Sequence, residues 1–316
     1  MSDIINVIAY TGGIPAKNKN PEKPLILENF IEGVNKVGDR GMLHDGMHLP
    51  TDVGLLQGWT HVHGAMAPHL QIRKSVIEGQ KRINKRVITA DSNLFLYKDT
   101  SNPMHYLRYS FDGIFPTTGE YCDSIIDPNR WKSLSKNIGL DIKPWRTKGD
   151  HIVVCLQRNG GWSMKGIDVQ EWAIDVITKL RNFTDRKIII RAHPGDGKAK
   201  IYLNHKNPQF KLKGLSNIEL SNNQRPFLKD IENAWAIVVH NSSPAVGAAI
   251  EGIPVFLTDP VNSQAQEIAH TNLSQIESTT EFEREKWLSR LAMFHWNFEE
   301  LRSGECWSHM KQFLKK

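Results

Sequence analysis

The sequence predicts an α/β protein of two domains, each built on a parallel sheet with helices on both faces. Three observations lead to this prediction. Short β-branched runs alternate with helical segments along the second half of the chain. The first half opens in the same way, with the strand-like run INVIAY at residues 5–10. The length of 316 residues also leaves room for two domains of roughly 150 residues each.

The second half begins with the apolar run HIVVCLQ at 151–157, which stops at the turn-forming RNGG and predicts a buried strand. The apolar residues of 168–180 have a helical spacing and predict a helix. The remaining predicted elements are strands at 187–192, 217–220, 236–240 and 254–257, and helices at 226–234 and 244–251. Because strands and helices alternate, we expect a parallel, doubly wound sheet.

The first half is less regular. VGLLQGW at 53–59, a basic helix at 71–85 and the strand RVITA at 86–90 predict a further α/β layer. The polar, Pro- and Gly-containing segment 139–150 is expected to link the domains. We therefore predict domains at 1–145 and 146–280, and aromatic-rich terminal helices at 281–316 packed back on the body.

Composition excludes several classes of protein. With 40% hydrophobic and 23% charged residues, the chain is neither collagen-like nor mostly disordered. No window approaches the ~18 apolar residues of a membrane span, and the first residues do not resemble a signal peptide, so we expect a cytoplasmic protein without a membrane partner. Three cysteines without a CxxC pair indicate neither a disulfide framework nor a cysteine zinc site.

The net charge is positive. Forty Lys and Arg against 34 Asp and Glu give +6, with a pI near 9.1, which suits an acidic partner such as nucleic acid or a nucleotide-linked substrate. The segment 73–86 is rich in Lys and Arg. It is either the solvated face of a helix or a surface for a polyanion.

Loops at the carboxyl ends of parallel strands gather ligands in this type of fold. The four loops that follow predicted strands start at Gln157, Arg191, His240 and Thr258, and they offer small or cationic donors of the kind that bind phosphate. In HNSSP, a strand ends at Asn241, Ser242 and Ser243 just before a proline suited to the first turn of a helix. These residues either donate to an anion together with the helix dipole or merely cap the helix.

RAHP at 191–194 and HNSSPAVGAAIEGIPVF at 240–256 together resemble the donor half of GT-B glycosyltransferases, especially bacterial sialyl-, Kdo- and capsule-sugar transferases with HP and SS motifs. The resemblance extends over about 152–259 and implies two Rossmann-like domains. It also implies that His193, Ser242 and Ser243 hold the phosphate of a UDP- or CMP-linked sugar. To this donor site we add the further candidates Arg158, Lys165, Arg191 and Asn241.

One position departs from the GT-B pattern. Relatives often place a glutamate early in the helix after the serines, where it holds the ribose, and this chain has Gly247 there. Glu251 lies one turn further on. We therefore do not expect Glu251 to hold the ribose.

The chain also resembles the glycosyltransferase-like proteins of tailed phages, through GWTHVHG, RYSFDGIFPTTGEY, the SS segment and HWNFEELRSGECW. Some phage glycosyltransferases attach sugar to hydroxymethylated pyrimidines. This resemblance implies DNA as the acceptor, inside the host bacterium.

Candidate catalytic residues lie in the first half, where histidines concentrate in HDGMHLPTD and GWTHVHGAMAPHL. A metal site would need ligands whose spacing nothing fixes, so we predict no metal and expect a general base instead. The candidates, in order, are Asp45, His63, His44 and Asp91.

The acceptor would be bound by Arg73, Lys74, Lys81, Arg82, Arg108 and Tyr109. The aromatic residues around Arg108 either stack on an exposed, flipped base or form plain core.

These observations predict a glycosyltransferase that acts on a hydroxyl, with a hydroxymethylated pyrimidine of phage DNA as the leading acceptor. The alternatives are a capsule- or lipopolysaccharide-type transferase, a nucleotide-sugar epimerase on the same fold, and a binding protein without turnover. No oligomeric state follows from the sequence.

Overall fold

The structure is a computed structural model that describes residues 4–15, 23–60, 67–98, 106–199, 203, 216–221 and 225–314. The chain divides into two compact units. Unit 1 comprises Met1–Ile138 and Leu288–Lys316, and unit 2 comprises Gly139–Trp287.

The strands of the described residues fall into one sheet in each unit. In chain order they are β1 (Asn6–Tyr10), β2 (Arg40–His44), β3 (Val53–Gln57), β4 (Arg86–Asp91), β5 (Tyr106–Phe111), β6 (His151–Cys155), β7 (Lys187–Arg191), β8 (Ile218–Leu220), β9 (Ala234–Val239), β10 (Val255–Leu257) and β11 (His295–Asn297).

The α-helices separate these strands along most of the chain. They are α1 (Lys23–Lys36), α2 (Pro68–Arg82), α3 (Pro128–Ile138), α4 (Val169–Arg181), α5 (Phe227–Asp230), α6 (Pro244–Ile250), α7 (Glu285–Ala292), α8 (Phe298–Ser303) and α9 (Glu305–Met310). None of the described helices is long and apolar enough to cross a bilayer.

The sheet of unit 1 has the order β11-β5-β4-β3-β1-β2. Its strands β2, β1, β3 and β4 are parallel, whereas β5 and β11 run antiparallel to their neighbours. The order of the parallel strands reverses between β1 and β3. The carboxyl ends of the four parallel strands and the beginning of β5 therefore meet at one edge of this sheet.

The C-terminal segment of the chain completes unit 1. Strand β11 extends the sheet beside β5, and α8 and α9 pack on α1. Helices α1 and α8 approach each other closely, because a Cβ atom on Gly33 of α1 would lie 1.9 Å from the carbonyl oxygen of Leu301 in α8. Asn297 and Glu300 form a capping box at the start of α8, which fixes where this helix begins.

The sheet of unit 2 has the order β10-β9-β6-β7-β8, with all strands parallel. This order reverses between β6 and β9. Helix α4 covers one face with Trp172, Val176 and Leu180, and it begins at Asp168, whose carboxylate accepts from two free backbone amides. The predicted α/β class, with two sheets of mainly parallel strands, is confirmed.

Candidate functional site

The predicted donor-binding residues of unit 2 all lie at the carboxyl edge of its sheet or in the loops that leave it. Gln157 to Lys165 follow β6, His193 follows β7, and His240 to Ser243 follow β9. The loops after β6 and β9 flank the point where the strand order reverses. Crevices at such points are the usual ligand sites of open α/β sheets.

A chain of hydrogen bonds ties these loops together. The buried Gln157 donates from Nε2 to Oδ1 of Asn241 at 2.5 Å. Asn241 in turn donates from Nδ2 to Oδ2 of Asp259 at 2.8 Å, and Asn262 donates to both carboxylate oxygens of Asp259 at 2.9 Å. Asn241, predicted to bind the donor, is thus engaged in positioning the loop.

The serine pair next to Asn241 is different. The hydroxyl of Ser242 is buried and has no hydrogen-bond partner among the described residues, and the same holds for Oε1 of Gln157. Ser243 is the N-cap residue of α6, but its side chain makes no capping hydrogen bond. Capping, the alternative explanation for these residues, therefore does not account for either hydroxyl.

His193 is held in one orientation by its own turn. Its Nδ1 accepts a hydrogen bond from the backbone amide of Gly195 at 2.9 Å, so the neutral ring carries its proton on Nε2 as a donor. Loss of solvation lowers the pKa of His193, the charge of Arg158 lowers it further, and Asp196 opposes both. Arg158 and His193 thus belong to one charged neighbourhood, although they follow different strands.

His240 was not predicted as a site residue, yet it is a central contact of this edge. Its Nδ1 lies 2.8 Å from the Thr258 hydroxyl, which also accepts from the indole of Trp172 at 2.9 Å. Burial lowers the pKa of His240, Asp259 raises it, and the charge of Lys165 lowers it. Lys165 therefore lies close enough to the end of β9 for its charge to act on His240.

The sequence contained one signal for this network, which is that Thr258 and Asp259 directly follow a strand.

The backbone at Lys165 is unusual: Lys165 has a φ of 50° and precedes Gly166, whose φ is 89°. Left-handed backbone at a residue other than glycine is uncommon and concentrates at functional loops.

Arg191 does not join this site, which corrects the prediction that it binds the donor. Its guanidinium forms an ion pair with Asp230, which is fully buried, and it also donates to the carbonyl of Arg225. The hydroxyl of Ser221 donates to the same carboxylate at 2.7 Å. A buried carboxylate needs such partners, so the ion pair with Asp230 accounts for Arg191 without a ligand.

Glu251 is likewise engaged elsewhere. Its carboxylate is buried and pairs with the ammonium of Lys143, and it follows directly on α6.

In unit 1 the first candidate base, Asp45, directly follows β2 at the carboxyl edge of the sheet, and it is exposed. The carbonyl oxygen of Asp45 lies 1.9 Å from where a Cβ atom on Gly12 would be, so only glycine fits beside it. The ring of His44, in contrast to the exposed Asp45, contacts the backbone: its Nε2 lies 3.0 Å from the carbonyl oxygen of Met47. His63, the second candidate, lies outside the described residues.

Asp91 ends β4 at the same edge and forms an ion pair with Arg108 of β5. Arg73 from α2 is close enough for its charge to interact with Asp91. Arg73 also donates from Nε to the carbonyl of Gly13 at 2.8 Å and from Nη1 to that of Trp59 at 2.9 Å. Its guanidinium therefore connects the loops that leave β1 and β3, where the strand order of unit 1 reverses.

The aromatic residues around Arg108 form core, not a stacking platform. Tyr106, Tyr109 and Phe111 are each at most 1% exposed, and Tyr109 stacks on Phe30 of α1. The prediction that Tyr109 contacts the acceptor is therefore wrong, because Phe30 and the surrounding apolar core of unit 1 already bury its ring.

The other predicted acceptor residues lie on or beside the outer face of α2. Lys81 is exposed there. The neighbouring cations lie near carboxylates: Lys74 and Arg82 are 3.8 and 3.9 Å from Glu78, Lys85 is 2.9 Å from Asp52, and Arg86 is 2.6 Å from Asp112. The two i,i+4 pairs with Glu78 are typical of a solvated helix face.

No group of three or more potential metal ligands among His, Cys, Asp and Glu occurs in the described part of the chain. The cysteines at 122, 155 and 306 are each buried.

No protein-family model matches this chain, and no curated protein sequence does. Among solved structures, the beta Kdo 2,4 transferase of Thermosulfurimonas dismutans KpsC is similar with a TM-score of 0.55 at 10% identity, covering 93% of this chain and 92% of that one. The beta Kdo 2,7 transferase of the same KpsC has a TM-score of 0.53 at 16% identity, with the same coverage. These two similarities show that the chain has the GT-B fold of two Rossmann-like domains.

Proposed function

We propose that this protein is a glycosyltransferase whose unit 2 binds a nucleotide-sugar donor. One observation carries the proposal, namely that the Ser242 hydroxyl is buried without a partner among the described residues, in the loop that leaves β9 where the strand order reverses between β6 and β9. An unpartnered buried hydroxyl costs about 1–3 kcal/mol. A phosphate oxygen of the donor would accept its proton and remove that cost.

The surrounding side chains suit a phosphate. His193 presents Nε2 as a donor, because Nδ1 already accepts from the backbone. Arg158 and Lys165 bring positive charge to the same edge, as their effects on the pKa values of His193 and His240 indicate. The donor is UDP- or CMP-linked in this proposal, and Ser243 is its second hydroxyl contact.

For the acceptor we propose a carbohydrate hydroxyl of a surface polysaccharide. The two KpsC structures that share the fold are named as transferases of the sugar Kdo. A hydroxymethylated pyrimidine in DNA fits less well, because most cations on and beside α2 lie near carboxylates of this chain. Such cations release fewer counterions on binding a polyanion.

As the general base of unit 1 we propose Asp45. Direct displacement at a sugar carbon requires the acceptor hydroxyl to lose its proton as the new bond forms. Asp45 is the exposed candidate, whereas His44 contacts a backbone carbonyl and Asp91 is paired with Arg108.

Calorimetric titration with UDP and CMP, and then with the matching nucleotide-sugars, tests the donor site. Ser242→Ala should weaken binding about 5- to 150-fold, which corresponds to the 1–3 kcal/mol of a lost hydrogen bond to a charged group. The same substitution should leave the melting temperature unchanged or higher, because it removes a buried hydroxyl that lacks a partner. His193→Ala should weaken binding by a similar factor.

Two matched controls belong to the same unit. Ser274→Ala removes an exposed hydroxyl, and His151→Ala removes an imidazole at the start of β6, on the opposite edge of the sheet. Neither should change nucleotide affinity. Unchanged affinity in both site variants would sink the donor assignment. Turnover of the nucleotide-sugar without any acceptor would favour the epimerase alternative.

A further inference from the structure

A half-buried group of charged side chains lies at the carboxyl edge of the unit 1 sheet, and the donor site does not use it. Arg73 reaches it from α2, Asp91 from the end of β4 and Arg108 from β5. Lys23, at the first position of α1, is near enough for its charge to interact with Arg73. We call these four residues the cation cluster.

Positive charge is in excess in this cluster. Within the described residues, the cluster holds three cations and one carboxylate, that of Asp91, whose charge acts on both Arg73 and Arg108. Burial lowers the pKa of Arg73 to about 10, and burial followed by the charge of Arg73 lowers the pKa of Lys23. Charges held together in this way are destabilising unless an anion compensates them.

Two polar groups at or beside the cluster also lack a hydrogen-bond partner among the described residues. Nε of Arg108 is buried and has no hydrogen-bond partner among the described residues, although Nη2 of the same side chain is paired with Asp91. Thr89, two residues before Asp91 on the same strand, has a buried hydroxyl that likewise lacks a partner within the described ranges. Arg73 uses Nε and Nη1 for backbone carbonyls, and its Nη2 hydrogens are additional donors.

The position of the cation cluster in the sheet of unit 1 also favours a ligand site. Arg73 bridges the loops after β1 and β3, and the strand order of unit 1 reverses between these two strands. Unit 1 thus places the cation cluster where open α/β sheets bind ligands.

We propose that the cation cluster binds an oxyanion carried by the acceptor, either a sugar carboxylate or a sugar phosphate. The inference rests on the proposed function. In that function unit 2 holds the phosphate of the donor, so an anion bound to unit 1 belongs to the acceptor. Asp91 competes with this oxyanion for Arg108 and sets the orientation of its guanidinium. The acceptor class is therefore an acidic saccharide.

Binding of small acceptor analogues to the full chain without donor tests this directly. The probes are methyl glucuronoside, its neutral counterpart methyl glucoside, and glucose 6-phosphate, each titrated by ligand-observed NMR. We expect one or both acidic probes to bind at least about tenfold more tightly than the glucoside, the factor of one charged hydrogen bond. The carboxylate and phosphate arms identify which oxyanion the acceptor carries.

Substitutions separate a ligand site from a purely structural ion pair. Lys23→Gln should weaken binding of the acidic probe by at least about threefold, whereas Lys36→Gln, at the exposed end of the same helix, should not. Asp91→Asn should tighten binding of the acidic probe, because it removes the competing carboxylate while preserving side-chain size. A structural ion pair predicts no such gain.

Equal binding of glucuronoside, sugar phosphate and glucoside would overturn the proposal, and so would an Asp91→Asn variant that folds without a gain in affinity. UDP and CMP are titrated on the same samples. Nucleotide binding with no preference for acidic probes refutes the cation cluster alone. Absence of nucleotide binding refutes the donor site, whatever the acidic probes do.

Discussion

Replacing Arg191 with alanine removes the main partner of a fully buried carboxylate, and we expect the effect on stability to be large. Asp230 is 0% exposed, and the side chain of Arg191 is 11% exposed. Breaking a buried ion pair by deleting one partner costs about 3–5 kcal/mol. Ser221 and Arg225 still contact Asp230 in the variant, so the lower end, about 3 kcal/mol, applies.

For a unit of roughly 150 residues this loss corresponds to a melting temperature lower by about 6–12 °C. Differential scanning calorimetry of the full chain measures it. The matched control is Arg225→Ala, because Arg225 is 43% exposed and lies 3.4 Å from the same carboxylate. That variant should lose only about 1 kcal/mol or less.

The double variant Arg191→Met with Asp230→Asn removes both charges together. It should recover much of the lost stability, because no uncompensated charge remains buried. Nucleotide affinity, measured well below the melting transition, should stay near that of the unchanged protein in Arg191→Ala. A variant that melts normally but no longer binds nucleotide would refute this reasoning and return Arg191 to the donor site.

Two further predictions concern unit 1. Asp45→Asn should leave donor affinity nearly intact while slowing transfer by ~10²-fold or more, because it removes the group that accepts the proton; retained transfer would move the role to His44 or His63. Burial lowers the pKa of His295 to about 3, so below about pH 6.5 the unfolded chain binds a proton that the folded chain does not. The free energy of unfolding of unit 1 should therefore fall towards lower pH, by up to about 1.4 kcal/mol per pH unit. In urea unfolding between about pH 7.5 and 5.5, the free energy of His295→Gln should depend less steeply on pH than that of the unchanged protein. An equally steep dependence in both proteins would contradict the assignment.

Local sequence patterns predicted most of the sheet in unit 2. The five runs expected to be strands are β6 to β10, and the observed ends differ by at most two residues. These strands are mostly buried and rich in Val and Ile, so the pattern of each is visible without knowledge of its neighbours. The loops of the candidate donor site could therefore be predicted as well, because they come directly after those strands.

Unit 1 was harder to predict for a physical reason. Strand β2 is the edge strand of its sheet, and its residues are exposed or half-buried, so RGMLH carries no apolar run. Strand β11 has three residues and joins a sheet whose other strands lie far away in sequence. Strands of this kind are specified by their partners more than by their own residues.

The sequence by itself determined the α/β class, the positions of the buried strands, and the polar loops at their carboxyl ends, because β-branched runs and turn residues act locally. Only the tertiary structure decided the partner of each polar side chain. Arg191 and His193 look equivalent in RAHP, yet Arg191 pairs with Asp230 while the His193 ring takes its orientation from Gly195. Likewise, Asp91 forms an ion pair with Arg108 of the adjacent strand. A buried charge must find a counter-charge wherever the fold brings one close, and that proximity is not encoded in any short stretch of chain.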